Sequence, residues 1–384
     1  MKSFAALIGV GVGVLAFAPG ARGADIDDRA LARVRTPPLG LPAVPVPADD
    51  PPTRETIALG RKLFFDRRLS ANGTISCAMC HVPEQGYTLN ELATPVGIEG
   101  RSVRRNAPTV VNAAFQKSLF HDGRATTLEE QALLPLVDAD EMGNPSLDHV
   151  VARLRGLPDY AGLFERAFGR AADAATLARA VAAWQRTLVS GNSPFDRWRF
   201  GRDETALGPA ARRGFALFGG KAGCAGCHAI GPDHALFTDH RFHNTGVGAP
   251  APPTVGVRVE LAPGVYTVLP HEVVAAVSEP AKPDLGRFEI TDDPADRFAY
   301  KTPSLRNVAL SAPYMHDGSL ATLADVVRFY NGGGRPNPGL DPLIRPLGLN
   351  ESEIGDLVAF LESLTGADIA DLIADGRSVA VGNP

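Results

Sequence analysis

The chain has 384 residues, enough for two domains that each bury a core, and a formal net charge of −5 with no run of basic residues. A mildly acidic chain without a basic cluster lacks the electrostatic footprint of a nucleic-acid binder, so we expect no nucleic-acid partner. All four cysteines fall in two Cys-x-x-Cys-His runs, which leaves none for a structural disulfide.

The N-terminus has the pattern of a secretory signal. Lys2 precedes an apolar run, and Ala21 and Gly23 are the small residues that a signal peptidase reads. The run is too short for a convincing membrane span, and no later stretch is apolar for long enough to cross a bilayer. We therefore expect residues 1–23 to be a cleaved signal peptide, with an uncleaved anchor as the alternative, and the mature protein to lie in a bacterial periplasm without a membrane span.

A Pro-rich N-terminal segment is expected over residues 24–54, extended and on the surface where proline is densest. Helical patterns then dominate and strand-like alternation is scarce, which predicts a mainly α fold. Ser146, Asn350 and the Thr322/Asp325 pair are expected helix caps, and Gly332 a helix end. The predicted helices are, in chain order, ETIALGRKLFF, SLDHVVARLRG, DAATLARAVAAWQRTLVS, ALGPAARRGFALFGG, TLADVVRFYNGGG and NESEIGDLVAFLESLTG.

Cys-x-x-Cys-His is the attachment signature of c-type haem: two thiols form thioethers to the porphyrin, and the adjacent histidine ligates the iron. A four-cysteine zinc site is the first alternative, but a histidine directly after both pairs is not expected for zinc. A thioredoxin-like redox pair is the second, but the parallel-sheet pattern that accompanies it is absent. We therefore predict two haems, one held by Cys77, Cys80 and His81 and the other by Cys224, Cys227 and His228.

An internal repeat follows the two cysteine pairs. Pro108 and His121 are separated by the same interval as Pro303 and His316, and both histidines open the triplet HDG. This similarity predicts an old duplication: two cytochrome c-like haem domains, over residues 55–200 and 201–384, related by a pseudo-twofold axis.

The repeat also predicts that the two irons differ in their sixth ligand. Tyr330 lies at the same distance after His316 as Pro135 lies after His121, and a phenolate can ligate haem iron whereas proline has no donor atom. The sequence alone leaves Tyr330 open as a core tyrosine. Other candidates for the sixth ligand are Met315, His243 and His271.

These motifs together resemble the di-haem cytochrome c peroxidase family, in particular its MauG-like branch of MauG-like and MbnH-like enzymes. The resemblance covers nearly all of the expected mature chain. It is carried by LFFDRRLS, SCAMCH, RNAPT, HDGRATTLEEQ, EMGNP, CAGCH, FHNTG, KTPSLRNVALSAPYMHDG and VVRFYNGGG.

The resemblance implies roles for individual residues. The haem of the first domain would react with peroxide, with Glu141, Gln131 and Pro135 on its open side, and Tyr330 would be the sixth ligand of the second haem. A calcium ion between the domains would take the Asn106 side chain and the backbone carbonyls of Ser311 and Pro313.

The chain also departs from the family. No histidine lies between His81 and His121, so the loop histidine that blocks the first haem in many members is missing. His121 and Ala222 stand where tryptophans would be expected to relay oxidising equivalents. Trp184 is expected in the core, and Trp198 as a boundary packing residue or a surface relay.

Three functions are therefore compared. The first is an enzyme that uses hydrogen peroxide to oxidise a periplasmic partner protein, such as its tryptophan side chains, through a high-valent haem state. The second is a peroxidase that receives electrons from a small cytochrome c or cupredoxin. The third is a di-haem electron carrier with no chemistry of its own. Tyr330 and the missing loop histidine favour the first.

Overall fold

The computed structural model describes residues 19–249, 257–262, 265–270, 273 and 283–379. Helices dominate this part of the chain, as expected, and the six predicted helices are all present. The helices are α1 Pro19–Arg35, α2 Arg54–Phe65, α3 Cys77–Cys80, α4 Leu128–Val137, α5 Leu147–Gly156, α6 Leu163–Phe168, α7 Ala174–Gln185, α8 Pro194–Arg199, α9 Pro209–Gly219, α10 Phe288–Thr291, α11 Leu323–Asn331, α12 Glu351–Glu362 and α13 Ile369–Arg377.

Two hydrophobic cores divide the molecule. The first is formed mainly by residues between Ala30 and Leu188, and the second by residues between Phe195 and Leu364. Leu372 of α13 belongs to the first core, so the chain returns to its first half at the end. Phe195 of α8 already belongs to the second core, just before the expected boundary at residue 200.

Each core is built around one pair of crossing helices, α2 with α7 in the first and α9 with α12 in the second. A glycine lies at each crossing because the helices touch there. A Cβ at Gly60 would overlap the backbone carbonyl of Ala180, and a Cβ at Gly214 would overlap that of Asp356. A glycine at the equivalent helix crossing of each half agrees with the predicted duplication.

The predicted repeat recurs in backbone detail. Asn112 and Asn307 both have a left-handed backbone, with φ of 63° and 60°, and each opens a short 3-10 helix. Thr127 and Thr322 then cap α4 and α11 by accepting a hydrogen bond from a backbone N–H of the first turn. The expected caps Ser146 and Asn350 and the helix end at Gly332 are also present.

Two features of the N-terminal part of the chain were not anticipated from the sequence. Helix α1 occupies part of the stretch assigned to the signal peptide and the Pro-rich segment, because Ala30 and Val34 are spaced to bury one helical face. Residues 36–53 contain no regular element, as predicted, although Val44 is buried rather than on the surface. Residues 1–18 of the expected signal peptide lie outside the described residues.

The described strands form two small antiparallel sheets. Strands β1 Phe242–His243 and β4 Tyr300–Lys301 pair beside the interface of the two halves. Strands β2 Val257–Ala262 and β3 Val265–Leu269 form a hairpin that the sequence interpretation missed, because its alternation spans only a few residues. None of the described helices is long and apolar enough to span a membrane.

Candidate functional site

The first Cys-x-x-Cys-His run forms the one-turn helix α3 and presents its histidine towards the first core. The Nδ1 atom of His81 lies 3.2 Å from the backbone oxygen of Tyr87, which can only accept, so Nδ1 carries the proton. Burial lowers the pKa of His81 to about 4, which keeps the imidazole neutral. The lone pair therefore lies on Nε2, the nitrogen that a haem iron would take.

The second run repeats this arrangement. The Nδ1 atom of His228 lies 2.8 Å from the backbone oxygen of Phe237, and burial lowers the pKa of His228. The Phe218 ring lies beside His228 at a centroid distance of 6.4 Å, as the Phe64 ring lies beside His81 at 6.3 Å. Both histidines are thus fixed in the same tautomer.

The four thiols are free and lie in two separate places. Cys77 packs against the first core and Cys224 against the second, which removes the alternative of one zinc site shared by both pairs. Burial raises the pKa of Cys77 to about 12 and of Cys224 to about 11, so the thiols are neutral. Each pair is available for thioether formation.

A cavity of about 130 Å³ adjoins the first run. Gln131 and Pro135 reach it from α4, and Glu141 from the loop after that helix, so all three predicted residues line it together with Cys80 and His81. Pro135 offers no donor atom there.

Glu141 is held at the cavity by its backbone. Its carbonyl accepts a hydrogen bond of 2.8 Å from the Ile98 N–H, and its N–H donates to the Asp138 carbonyl at 3.3 Å. Burial, followed by the charges of Asp138 and Asp140, raises the pKa of Glu141 to about 7, although Arg124 opposes the shift. A carboxyl group with such a pKa can both accept and donate a proton near neutrality.

Gln185 also lines the first cavity, and the sequence interpretation did not identify it. Its side chain is 4% exposed, and its Oε1 atom has no hydrogen-bond partner among the described residues. It follows Trp184 on α7 in a run that reads as ordinary core helix, so no sequence signal marked it.

A cavity of about 360 Å³ adjoins the second run. Tyr330, in the last turn of α11, lines it together with Cys224, Cys227 and His228. Burial and the two nearby thiols raise the pKa of Tyr330 to about 12, and a hydrogen bond with Thr245 opposes the shift. Without a metal the phenol is therefore protonated, and a bound ferric iron would have to displace that proton.

The other candidates for the sixth ligand are less available to an iron at this site. His243 lines the cavity, but its Nδ1 atom lies 2.6 Å from Asp341 and its Nε2 atom 2.9 Å from Asp239, so both ring nitrogens are occupied. Met315 lines the cavity too, and His271 lies outside the described residues.

His121 separates the two sites and lines both cavities. Its Nε2 atom donates to the Asn106 carbonyl at 3.0 Å, and burial lowers its pKa to about 3. The His316 ring lies 6.4 Å from it and stacks on Tyr300 at a centroid distance of 3.6 Å. The interface between the halves is therefore aromatic but contains neither tryptophan.

The three predicted calcium ligands line one cavity. Asn106, Ser311 and Pro313 all border the space between the halves. The Asn106 amide nitrogen donates to the Ala93 carbonyl at 2.9 Å, which leaves its oxygen as the atom for a cation. An amide oxygen and two carbonyls are the donors that calcium prefers.

Comparisons with known proteins agree with these features. The sequence model of the family described as di-haem cytochrome c peroxidase matches residues 54–204. The methylamine utilization protein MauG of Methylorubrum extorquens is 42% identical over 345 residues, which cover 89% of this chain and 87% of that protein. The cytochrome-c peroxidase IdrP1 of Denitromonas iodatirespirans is 42% identical over 347 residues, which cover 88% of each chain.

Solved structures share the fold as well. A MauG-like protein associated with microbial copper homeostasis superposes with a TM-score of 0.72 at 34% identity, over 88% of this chain and 98% of that one. The diheme peroxidase BthA from Burkholderia thailandensis superposes with a TM-score of 0.65 at 27% identity, over 83% and 87%.

Proposed function

The chain belongs to the di-haem cytochrome c peroxidase family and is a haem peroxidase-type oxidoreductase with two haem cofactors, and we propose that it uses hydrogen peroxide to oxidise a partner protein. The observation that carries the proposal is the asymmetry of the two cavities. The first is lined by an acid, an amide and a proline in addition to its histidine, whereas the second is lined by Tyr330.

The residues of both sites fit a c-type haem. Each site combines two free thiols with a histidine whose Nδ1 is bound to a backbone carbonyl, and this is the donor set that thioether attachment and iron ligation require. When bound at the first site, the haem would supply the electrons that break the peroxide O–O bond.

The protein's own contribution at the first site is proton transfer. Glu141 would take a proton from one peroxide oxygen and return it to the other, which departs as water. Gln131 would hold the peroxide by a hydrogen bond, and Pro135 would keep the sixth position free of a protein ligand.

Tyr330 supports oxidation of a partner rather than simple electron delivery. A phenolate oxygen favours ferric and more highly oxidised iron, whereas a methionine ligand raises the potential of the ferrous couple. The second site would therefore hold oxidising power until a partner protein reduces it.

A cytochrome c peroxidase that draws electrons from a small cytochrome c or cupredoxin is the second candidate. It is favoured by the 42% identity to a protein named cytochrome-c peroxidase and by the lack of indoles at His121 and Ala222. An electron carrier without chemistry is less consistent with Glu141 and Gln131 lining the first cavity.

We further propose a calcium ion at Asn106, Ser311 and Pro313, and a periplasmic location after cleavage of residues 1–23. Removal of calcium by a chelator is expected to loosen the contact between the halves and to slow the reaction with peroxide. An unchanged rate and an unchanged melting curve would contradict a role for calcium.

Electron paramagnetic resonance of the haem-loaded protein tests the main proposal. We expect one high-spin and one low-spin ferric signal at rest, and loss of both after one equivalent of peroxide. Two low-spin signals that do not change on addition of peroxide would contradict both peroxide-dependent functions and favour the electron carrier. Mass spectrometry of the partner separates the first two candidates, because only the first leaves an oxidised side chain.

A further inference from the structure

Trp198 is the tryptophan through which a partner could exchange electrons with the second site. It lies on α8, is partly exposed, and packs on the second core. Its ring lies 6.2 Å from Phe195 and 5.4 Å from Phe215, and its indole N–H donates to the Glu204 carboxylate at 3.3 Å. Trp184, the other tryptophan, is 1% exposed and out of reach of any partner.

Aromatic contacts lead from Trp198 to the iron ligand of the second site. Phe195 touches Phe237 at a centroid distance of 5.3 Å, and the Phe237 carbonyl accepts the Nδ1–H bond of His228 at 2.8 Å. The path from the surface indole to the histidine thus runs through two phenylalanines.

A second path runs beside it. Phe215 contacts Phe360 at 5.6 Å, Phe360 contacts Phe218 at 5.0 Å, and Phe218 lies 6.4 Å from His228. Phenylalanine is hard to oxidise, so these rings provide packed contact only. The indole of Trp198 is the group that can be oxidised.

The segment that contains Trp198, residues 197–212, has an excess of positive charge although the whole chain is negative. Arg199 and Arg202 are exposed and make no ion pair with a described carboxylate. Arg212 lies over the Trp198 ring at 5.5 Å and pairs with Glu204. This segment therefore has four arginines and two carboxylates, and we call it the arginine patch; it comprises Arg197, Arg199, Arg202, Arg212, Asp203 and Glu204.

We propose that Trp198 and the surrounding arginine patch form the docking and electron-exchange surface for the partner protein, and that this partner carries an acidic face. The inference rests on the proposed function, which supplies hydrogen peroxide as the oxidant. Opposite charges would steer the partner and orient its oxidisable side chain against the indole.

The proposed reaction balances in electrons and protons. Reduction of one hydrogen peroxide to two waters consumes two electrons, which the partner supplies, and two protons, which come from the solvent. Each electron passes from the partner to the oxidised indole of Trp198 and from there to the second haem site. When Trp198 is oxidised its N–H proton moves to Glu204, 75% exposed, and it returns when the partner reduces the indole. The partner loses two electrons in two steps.

The test compares W198F with W198Y in the haem-loaded protein. The probe is a reduced c-type cytochrome with an acidic surface, whose oxidation by peroxide is followed by stopped-flow absorbance. We expect W198F to oxidise it at least about tenfold more slowly, and W198Y to keep most of the rate, because tyrosine can be oxidised and phenylalanine cannot. Bleaching of the haems by peroxide alone should stay unchanged in both variants.

A charge-reversed variant tests the docking surface. In the wild type, low salt should accelerate oxidation of the acidic cytochrome, because salt screens its attraction to the arginines. R199E/R202E is expected to lose this acceleration, because the attraction is removed. R170E, a reversal at an exposed arginine of the first half, is the matched control and should keep it.

Failure of the proposed function and failure of the Trp198 route give different results. Absence of haem bleaching in the wild type contradicts the proposed function. Normal bleaching with an undiminished rate of cytochrome oxidation in W198F overturns the Trp198 route, and an unchanged salt dependence in R199E/R202E overturns the arginine patch.

Discussion

At the scale of single residues, Glu141 shows how a loop can prepare a carboxyl group for proton transfer. The backbone bond from Ile98 fixes the loop, and burial beside Asp138 and Asp140 raises the pKa of the carboxyl to about 7. Gly97 makes this approach of two loops possible, because a Cβ there would overlap the Asp140 carbonyl. The carboxyl is therefore partly ionised at neutral pH.

Replacement of Glu141 by glutamine should slow the reaction with peroxide by roughly 10²–10⁴-fold, the usual loss of a general acid–base group. In the wild type the ionised form accepts the first proton, so the rate should rise as the pH increases through about 7. The variant should lose this dependence. Stopped-flow measurements across the pH range check both, and E130Q, at an acid on the exposed side of α4, is the control.

Replacement of Tyr330 by phenylalanine should remove the sixth ligand of the second haem and convert its low-spin signal to high-spin. Y314F is the matched control, because Tyr314 lines the same cavity and donates its hydroxyl to the Val308 carbonyl at 3.1 Å. An unaltered low-spin signal in Y330F would exclude Tyr330 as a ligand.

Candidate functional residues could be predicted from the sequence only where the spacing of a motif marked them. The cysteine runs and the repeat singled out His81, Pro135 and Tyr330, and the structure places the first two at one cavity and the third at the other. Gln185 could not be found, because its orientation into the first cavity depends on the packing of α7 against α4. The pairing of His243 with Asp341 joins distant parts of the chain and has no local signal.

At the scale of elements, the close crossing of α9 and α12 depends on Gly214. G214A should lower the free energy of unfolding by about 1–3 kcal/mol, because its methyl group would overlap the Asp356 carbonyl and force the helices apart. G355A is the matched control on the partner helix: nothing lies within 4 Å of a Cβ there, so it should raise stability by about 0.5–1 kcal/mol. Thermal denaturation followed by circular dichroism measures both.

Helices were predictable here because caps and apolar spacing coincide. Asn350, Thr322 and Ser146 each accept the capping bond that the sequence suggested. Helix α1 was missed because proline and small residues surround its apolar positions, and its burial depends on contacts with residues far along the chain.

At the scale of the whole molecule, ion pairs join the two halves. Arg105, which is buried, forms hydrogen bonds of 2.6 and 2.7 Å with Asp284 and also pairs with Asp122. These contacts hold Asp284 with a pKa well below its usual value, owing to Arg105. Arg105 also lines the first cavity, so this contact between the halves gives that cavity a charged wall, which a sequence repeat alone could not reveal.

The last helix is the second link between the halves. L372A should lower the free energy of unfolding by about 2–5 kcal/mol, because Leu372 is fully buried in the first core. L92A is the control, since Leu92 is 45% exposed. A denaturant titration in which both variants unfold alike would contradict this role of α13.

The return of α13 to the first core has a consequence for the orientation of His81. The Leu372 carbonyl accepts a hydrogen bond of 2.6 Å from the Tyr87 hydroxyl, and the Tyr87 carbonyl holds the His81 imidazole. The imidazole of His81 is therefore supported, through Tyr87, by a helix that lies far from it along the chain. A variant without Ile369–Arg377 should lose this support and hold the His81 ring less firmly.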